Sequence, residues 1–174
     1  MTPELQYCVV GKESLDDIRS LWEDLRQHHR ELPWPFAPEM DKAVFERRKQ
    51  KLVSKSEGGA LRIDMVKISN QELIAYCVSS VSQDHCGEID SMFVLPSWRG
   101  QGIGMNLIRR AILWLDEMSS VRKQVVIAHA NSHALDLYAK FGFVPRTITM
   151  QQAEPGGPAD AAKLKPISET GPVS

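Results

Sequence analysis

Residues 99–105 combine side-chain and backbone chemistry that can grip a phosphate. Arg99 brings a fixed positive charge, and Gly100-Gln101-Gly102-Ile103-Gly104-Met105 follow a strand-like run and open a helical pattern. The backbone N–H groups at a helix start have no intrahelical partner, and the helix dipole adds partial positive charge there. Glycine lets the backbone approach an anion that a side chain would hold away. The dinucleotide fingerprint, which wants three glycines in Gly-x-Gly-x-x-Gly, fails because Met105 stands where the third is required. Upstream, Glu88, Asp90 and Met92 occur at alternate positions of a strand-like run, which predicts that all three share one face. Carboxylates so placed can accept a proton, directly or through water. Downstream, Asn131 precedes a helical pattern that carries Tyr138, whose phenol can serve as a proton donor.

These residues need a scaffold, and its elements are readable. A first strand is predicted at Gln6–Val10, followed by a helix with Leu15, Ile18, Leu21, Trp22 and Leu25 at helical spacing. Ser14 is its expected N-cap, with Asp17 completing a weak capping box. The prolines in Leu32-Pro-Trp-Pro-Phe-Ala-Pro38 exclude regular helix, and a second helix is expected over 41–54. The period then changes to that of strands at 61–68 and Leu73–Val81, and again at 88–95, which Pro96 ends. A helix over 102–118 carries Ile103, Leu107, Ile108, Ala111, Ile112 and Leu115 on one side. The apolar run 124–128 reads as a strand buried on both faces. A helix capped by Asn131 is expected to run to Lys140 and stop at Gly142, before a final strand over 143–151. Residues 153–174 hold no aromatic residue and are expected to form a mobile tail beside a single domain at 1–152.

Composition narrows the function classes. With 174 residues, 43% hydrophobic and 25% charged, the chain is long enough for one domain with a real core. A net charge of −1 supplies no broad basic field for nucleic acid or an anionic membrane. No apolar run approaches the ~20 residues that span a bilayer, and the N-terminus lacks signal-peptide features, so a cytoplasmic address is expected. Cys8, Cys77 and Cys86 make neither a disulfide framework nor a spaced metal motif. Cys8 and Cys77 sit in apolar runs and read as core, and Cys86 beside His85 lacks the third group a catalytic pair needs. No metal is expected.

Arg99-x-x-Gly102-x-Gly104 fits the arginine/glutamine-x-x-glycine-x-glycine signature, and the chain resembles the GNAT superfamily of N-acetyltransferases. A second segment, Asn131-x-x-Ala134-x-x-Leu137-Tyr138 followed by Phe141-Gly-Phe143, is similar to the coenzyme A-binding end of the same family. The likeness is tight from Glu88 to Gln151 and covers the N-terminal half only in element order. It implies an α/β fold, with a mixed, mostly antiparallel central sheet flanked by helices. It also implies acetyl-coenzyme A as cosubstrate, bound between the strands at 88–95 and 124–128. The backbone of Met92, Phe93 and Val94 would then meet the pantetheine arm, 99–105 the pyrophosphate, and Asn131 a pantetheine amide. By the same resemblance Glu88, or else Asp90, is the proton acceptor, and Tyr138 sits near the sulfur as proton donor. The implied reaction is direct acetyl transfer to a primary amine in a ternary complex, with no covalent enzyme intermediate. The acceptor would be a small molecule or a peptide, and a homodimer through the last strand fits family habit. The competing reading is a coenzyme A-binding sensor or interaction module without catalysis.

Other residues carry weaker signals. His28 and His29 are adjacent, so they cannot face one way on a helix as a metal pair. They fall where the family's first two helices wall the acceptor site. Trp34 and Phe36, held by prolines, suit either an aromatic lid or a hydrophobic plug. His129 and His133 flank Asn131, and Arg47-Arg48-Lys49 reads as a solvated helix face.

Overall fold

The computed structural model describes residues 4–152, so the expectation of a mobile tail at 153–174 lies outside the described residues. Five strands form one sheet in sequence order: β1 (Gln6–Val10), β2 (Ala60–Lys67), β3 (Leu73–Val81), β4 (Cys86–Val94) and β5 (Arg122–Val125). The first three pairings are antiparallel, while β4 and β5 run parallel. On one face lie α1 (Arg19–Arg30) and α2 (Phe45–Lys55), and on the other α3 (Ile103–Glu117) and α4 (Ser132–Ala139). The fold is therefore the mixed, mostly antiparallel α/β sheet with flanking helices that was expected.

Central strand β3 is buried on both faces, and its alternate residues feed two separate cores. Cys77 joins Ile103, Leu107, Ile108, Ala111 and Leu115 beneath α3. Tyr76 and Val78 join Leu15, Ile18, Trp22, Phe45 and Leu52 beneath α1 and α2. The apolar stripe of α3 at helical spacing is what clamps it to the sheet, and that fixes where its N-terminus ends up.

Three local expectations are corrected. The first helix is entered through a 3-10 stretch, Lys12–Ile18, and Ser14 makes no cap; Glu13 instead accepts from the Gly11 N–H at 2.9 Å. The strand expected over 124–128 covers only Arg122–Val125, and Val126 is exposed. Among the described residues it is the edge strand, paired with β4 alone. The final strand expected over 143–151 does not form among the described residues: 143–152 carry no regular structure, and Val144, Ile148 and Met150 face solvent. Alternation supplies strand propensity, yet a strand exists only where a neighbour takes its hydrogen bonds.

Candidate active site

The site grows out of a defect in β4. Val78 pairs with Ser91 and Ser79 with Ile89, so Asp90 is an extra residue and the strand bulges there. This corrects the expectation that Glu88, Asp90 and Met92 share one face. Glu88 and Asp90 turn toward α2, where Lys55 meets both. Met92 and Val94 turn toward α3, and Ser91 and Phe93 toward α1, with Ser91 bonded to the Tyr76 hydroxyl at 2.7 Å. An inserted residue reverses the alternation on either side of it.

Pairing of β4 with β5 covers only Cys86↔Arg122 to Ile89↔Val125. Beyond it β4 continues to Val94, so the backbone from Asp90 onward has no partner on that side among the described residues. Side chains take two of its acceptors, Arg48 the Asp90 carbonyl and Arg99 the Val94 carbonyl, and no strand among the described residues pairs with the rest on that side.

The turn itself delivers α3. Gly102 is the N-cap, in left-handed conformation (φ 80°, ψ −2°), with no capping side chain and no acid in the first turn of the helix. An added Cβ at Gly102, or at Gly100 (φ 76°), would have no protein atom within 4 Å. Space beside the helix start is therefore open on the side where a Cβ would stand. Arg99 donates from Nε to the Val94 carbonyl at 3.0 Å and lays its guanidinium over the Phe93 ring, 5.3 Å from the centroid. Around Gly104, Met92, Val94 and Leu137 approach to 3.8–4.0 Å of where a Cβ would stand, so β4, α3 and α4 converge there.

The expected proton-transfer groups differ in how free they are. Asp90 is 1% exposed; it accepts from Ser80 Oγ at 2.5 Å and Lys55 Nζ at 2.6 Å. Burial nevertheless raises its carboxyl above the ordinary range, against the pull of Lys55 and Ser80. Glu88 keeps 14% exposure and meets Lys55 Nζ at 2.9 Å and Gln124 Nε2 at 2.6 Å. Tyr138 is buried, packs edge-on to Phe143 at 5.5 Å, and hydrogen-bonds no described residue. Burial pushes its phenol upward, so it holds its proton until a basic atom comes near. Asn131 Oδ1 caps α4 by accepting from the Ala134 N–H at 3.1 Å, which leaves its amide NH2 to donate elsewhere.

A cleft of about 410 Å³ runs beside the turn, between Asp24 and His28 of α1, with its C-cap Glu31, on one side and Phe93, Leu95 and Arg99 on the other. Burial, and then the Arg99 charge, hold the His28 imidazole below its usual range. Lys55 and Ser80 carried no signal in the sequence, because Lys55 reaches Asp90 across 35 positions that only folding brings together. Arg48 was misread as solvated: it donates to the Asp90 carbonyl at 2.5 Å, and Lys49 is tied to Asp16. Among the described residues no group of His, Cys, Asp or Glu could hold a metal, and no helix is long and apolar enough to cross a membrane.

Comparison with known proteins places this geometry. The model of the acetyltransferase (GNAT) family matches residues 19–143, well over half of the chain, and the chain belongs to that family. An uncharacterized N-acetyltransferase of Methanocaldococcus jannaschii is 28% identical over 71 residues, a match that spans 41% of this chain and 31% of that protein. Among solved structures, aminoglycoside N-acetyltransferase AAC(6')-Iy in complex with CoA superposes with a TM-score of 0.61 at 16% identity, over 87% of this chain and 97% of that one. A putative acetyl transferase from Pyrococcus furiosus gives 0.61 at 20% identity, over 84% and 99%. At such identities the likeness shows the fold alone.

Proposed function

We propose that the protein moves the acetyl group of acetyl-coenzyme A to a primary amine by direct attack within a ternary complex. The observation that carries this reading is the uncapped N-terminus of α3, opening through Gly102 onto space that no protein atom fills, beside the unpaired half of β4. Such a cradle fits a diphosphate followed by an amide-bearing arm. Residues Arg99 to Met105 hold the diphosphate, and Met92, Phe93, Val94 and Asn131 take the amides of the arm. Acetyl-coenzyme A supplies the activated thioester carbonyl.

An alkylammonium, with a pKa near ~10.4, must lose a proton before it can attack. Glu88, the more exposed of the two carboxylates, takes that proton through water, and buried Asp90 fixes Lys55 and so the position of Glu88. As the new C–N bond forms and the C–S bond breaks, Tyr138 gives its proton to the departing sulfur. A free N–H of β4 beside Phe93 steadies the charge that develops on the carbonyl oxygen.

One observation favours a second reading, a coenzyme A-binding module without catalysis: Lys55 neutralises both candidate bases. Two assays separate them. Calorimetric titration with acetyl-coenzyme A should give micromolar binding that an Arg99→Ala/Gly102→Asp double variant loses, and release of free thiol should follow on adding an amine. A folded wild type that binds no acetyl-coenzyme A sinks the proposal, and binding without thiol release for any amine selects the non-catalytic module.

A further inference from the structure

The chain as a whole is nearly neutral, with 21 basic and 22 acidic residues, yet one cleft collects four of the basic ones. It measures about 370 Å³ and lies where α1, the 3-10 segment Ala37–Lys42 and α2 meet, lined by Trp22, Lys42, Val44, Arg47, Arg48 and Lys51. Glu39 is the one acid in the lining, and its carboxylate already accepts from the Gln151 amide at 3.2 Å. Lys42, Arg47 and Lys51 form no salt bridge among the described residues, whereas the neighbouring Arg19, Arg30 and Lys49 are all paired. Positions 44, 47, 48 and 51 recur at helical spacing, so α2 turns one charged face into the cleft. The apolar part is Trp22, stacked edge-on to Phe45 at 5.4 Å, together with half-exposed Val44.

Arg48 ties this cleft to the chemistry. From the lining it reaches the bulge of β4, donating to the Asp90 carbonyl at 2.5 Å and standing 3.9 Å from the Asp90 carboxylate. Arg48 thus spans from the cleft lining on α2 to Asp90, the residue at which β4 bulges and its pairing with β5 has ended. We propose that this cleft seats the anionic end of the acyl acceptor, so that the amine acetylated belongs to a molecule carrying a carboxylate or a phosphate. The inference rests on the acetyl-transfer reading and specifies its substrate class. Arg47 and Lys51, the two α2 cations of the cleft that form no salt bridge among the described residues, hold the anion. An arginine fork matches the two oxygens of a carboxylate or phosphate, and charge-assisted bonds are the stronger kind. A polycationic acceptor would meet four like charges there instead.

The test uses the full chain, saturating acetyl-coenzyme A and thiol release with linear acceptors of three to six carbons. These are ω-amino carboxylates, their carboxamides, aminoalkyl phosphates and α,ω-diamines. Expected is a kcat/KM at least about tenfold higher for the anionic acceptors than for the carboxamides, with diamines poorest. In Arg47→Gln and Lys51→Gln, both exposed and remote from the cores, KM for anionic acceptors should rise about tenfold with kcat and the carboxamide kinetics unchanged. Added salt should erode the same preference. A preference for carboxylates or for phosphates tells which anion the cleft takes. Diamines equal to or better than carboxylates, or variants that leave the anionic KM untouched, overturn the proposal. Silence from every acceptor would count against the acetyl-transfer reading instead, and glutarate titrated calorimetrically then reads the cleft alone. Binding that is lost in Lys51→Gln keeps the anion site, and no binding by the wild type removes it.

Discussion

Two glycines two residues apart should respond to the same substitution with opposite signs. Gly102 has φ 80°, where a Cβ meets its own backbone, so Gly102→Ala should cost about 1–2 kcal/mol although no neighbouring atom lies within 4 Å. Gly104 lies inside α3 with ordinary helical geometry, and its added methyl would find Leu137 and Val94 at 3.8 Å and Met92 at 4.0 Å, which is plain van der Waals contact. Replacing glycine by alanine within a helix contributes about 0.5–1 kcal/mol, so Gly104→Ala should stabilise. For a domain of this size a kcal/mol moves the melting temperature by roughly 2–4 °C. Gly102→Ala should therefore melt about 2–8 °C lower than wild type, and Gly104→Ala about 1–4 °C higher. Thermal unfolding measures both, and calorimetry with acetyl-coenzyme A adds the functional half. Since the methyl at Gly102 projects into the space assigned to the diphosphate, affinity should drop at least about tenfold, well beyond the loss in stability. A Gly102→Ala protein as stable as wild type would refute the backbone argument. One that is destabilised yet binds normally would put the ligand elsewhere.

Tyr138→Phe keeps the ring packed on Phe143 and removes a hydroxyl that hydrogen-bonds no described residue, so stability should stay within about 0.5 kcal/mol. Steady-state kinetics should show kcat down on the order of a hundredfold with KM for acetyl-coenzyme A unchanged, and an unaltered kcat would remove Tyr138 from the mechanism. Asp64, 1% exposed, binds Arg62 at 2.8 and 2.9 Å and Arg110 at 2.6 Å, joining β2 to α3. Asp64→Ala strands two guanidinium groups and should lose about 3 kcal/mol in urea titrations, where a loss below ~1 kcal/mol would mean that solvent rescues them. Burial, and then the His28 charge, hold the His29 imidazole below its ordinary 6.5, so the folded state binds that proton less readily than the unfolded chain. Stability from this group is present above pH 6.5 and is lost as pH falls from there toward the depressed folded value. His29→Gln should flatten the fall in urea midpoint between pH 7.5 and 5, and an unchanged slope would assign the acid sensitivity to other groups.

What the chain determines by itself is whatever a short window of residues can decide. Strands at Gln6–Val10 and Leu73–Val81, the apolar stripe of α3, the glycine turn before it and the Asn131 cap of α4 all rest on side-chain period or on backbone chemistry a few residues long. Tertiary structure decided the rest, because each remaining feature needs a partner remote in sequence. The Asp90 bulge arises from pairing with β3, and it sends Met92 to the face away from Glu88, against a correct local alternation. The segment 143–151 has strand propensity but no described neighbour to pair with. Ser14 could cap a helix, yet a 3-10 entry moved the helix start past it. Arg48 looked like one charge in a solvated run until α2 docked beside β4 and gave it the Asp90 carbonyl. Local sequence sets the φ/ψ preferences and the apolar faces, whereas register, ion pairing and the shape of a cleft depend on which faces meet once the chain has closed on itself.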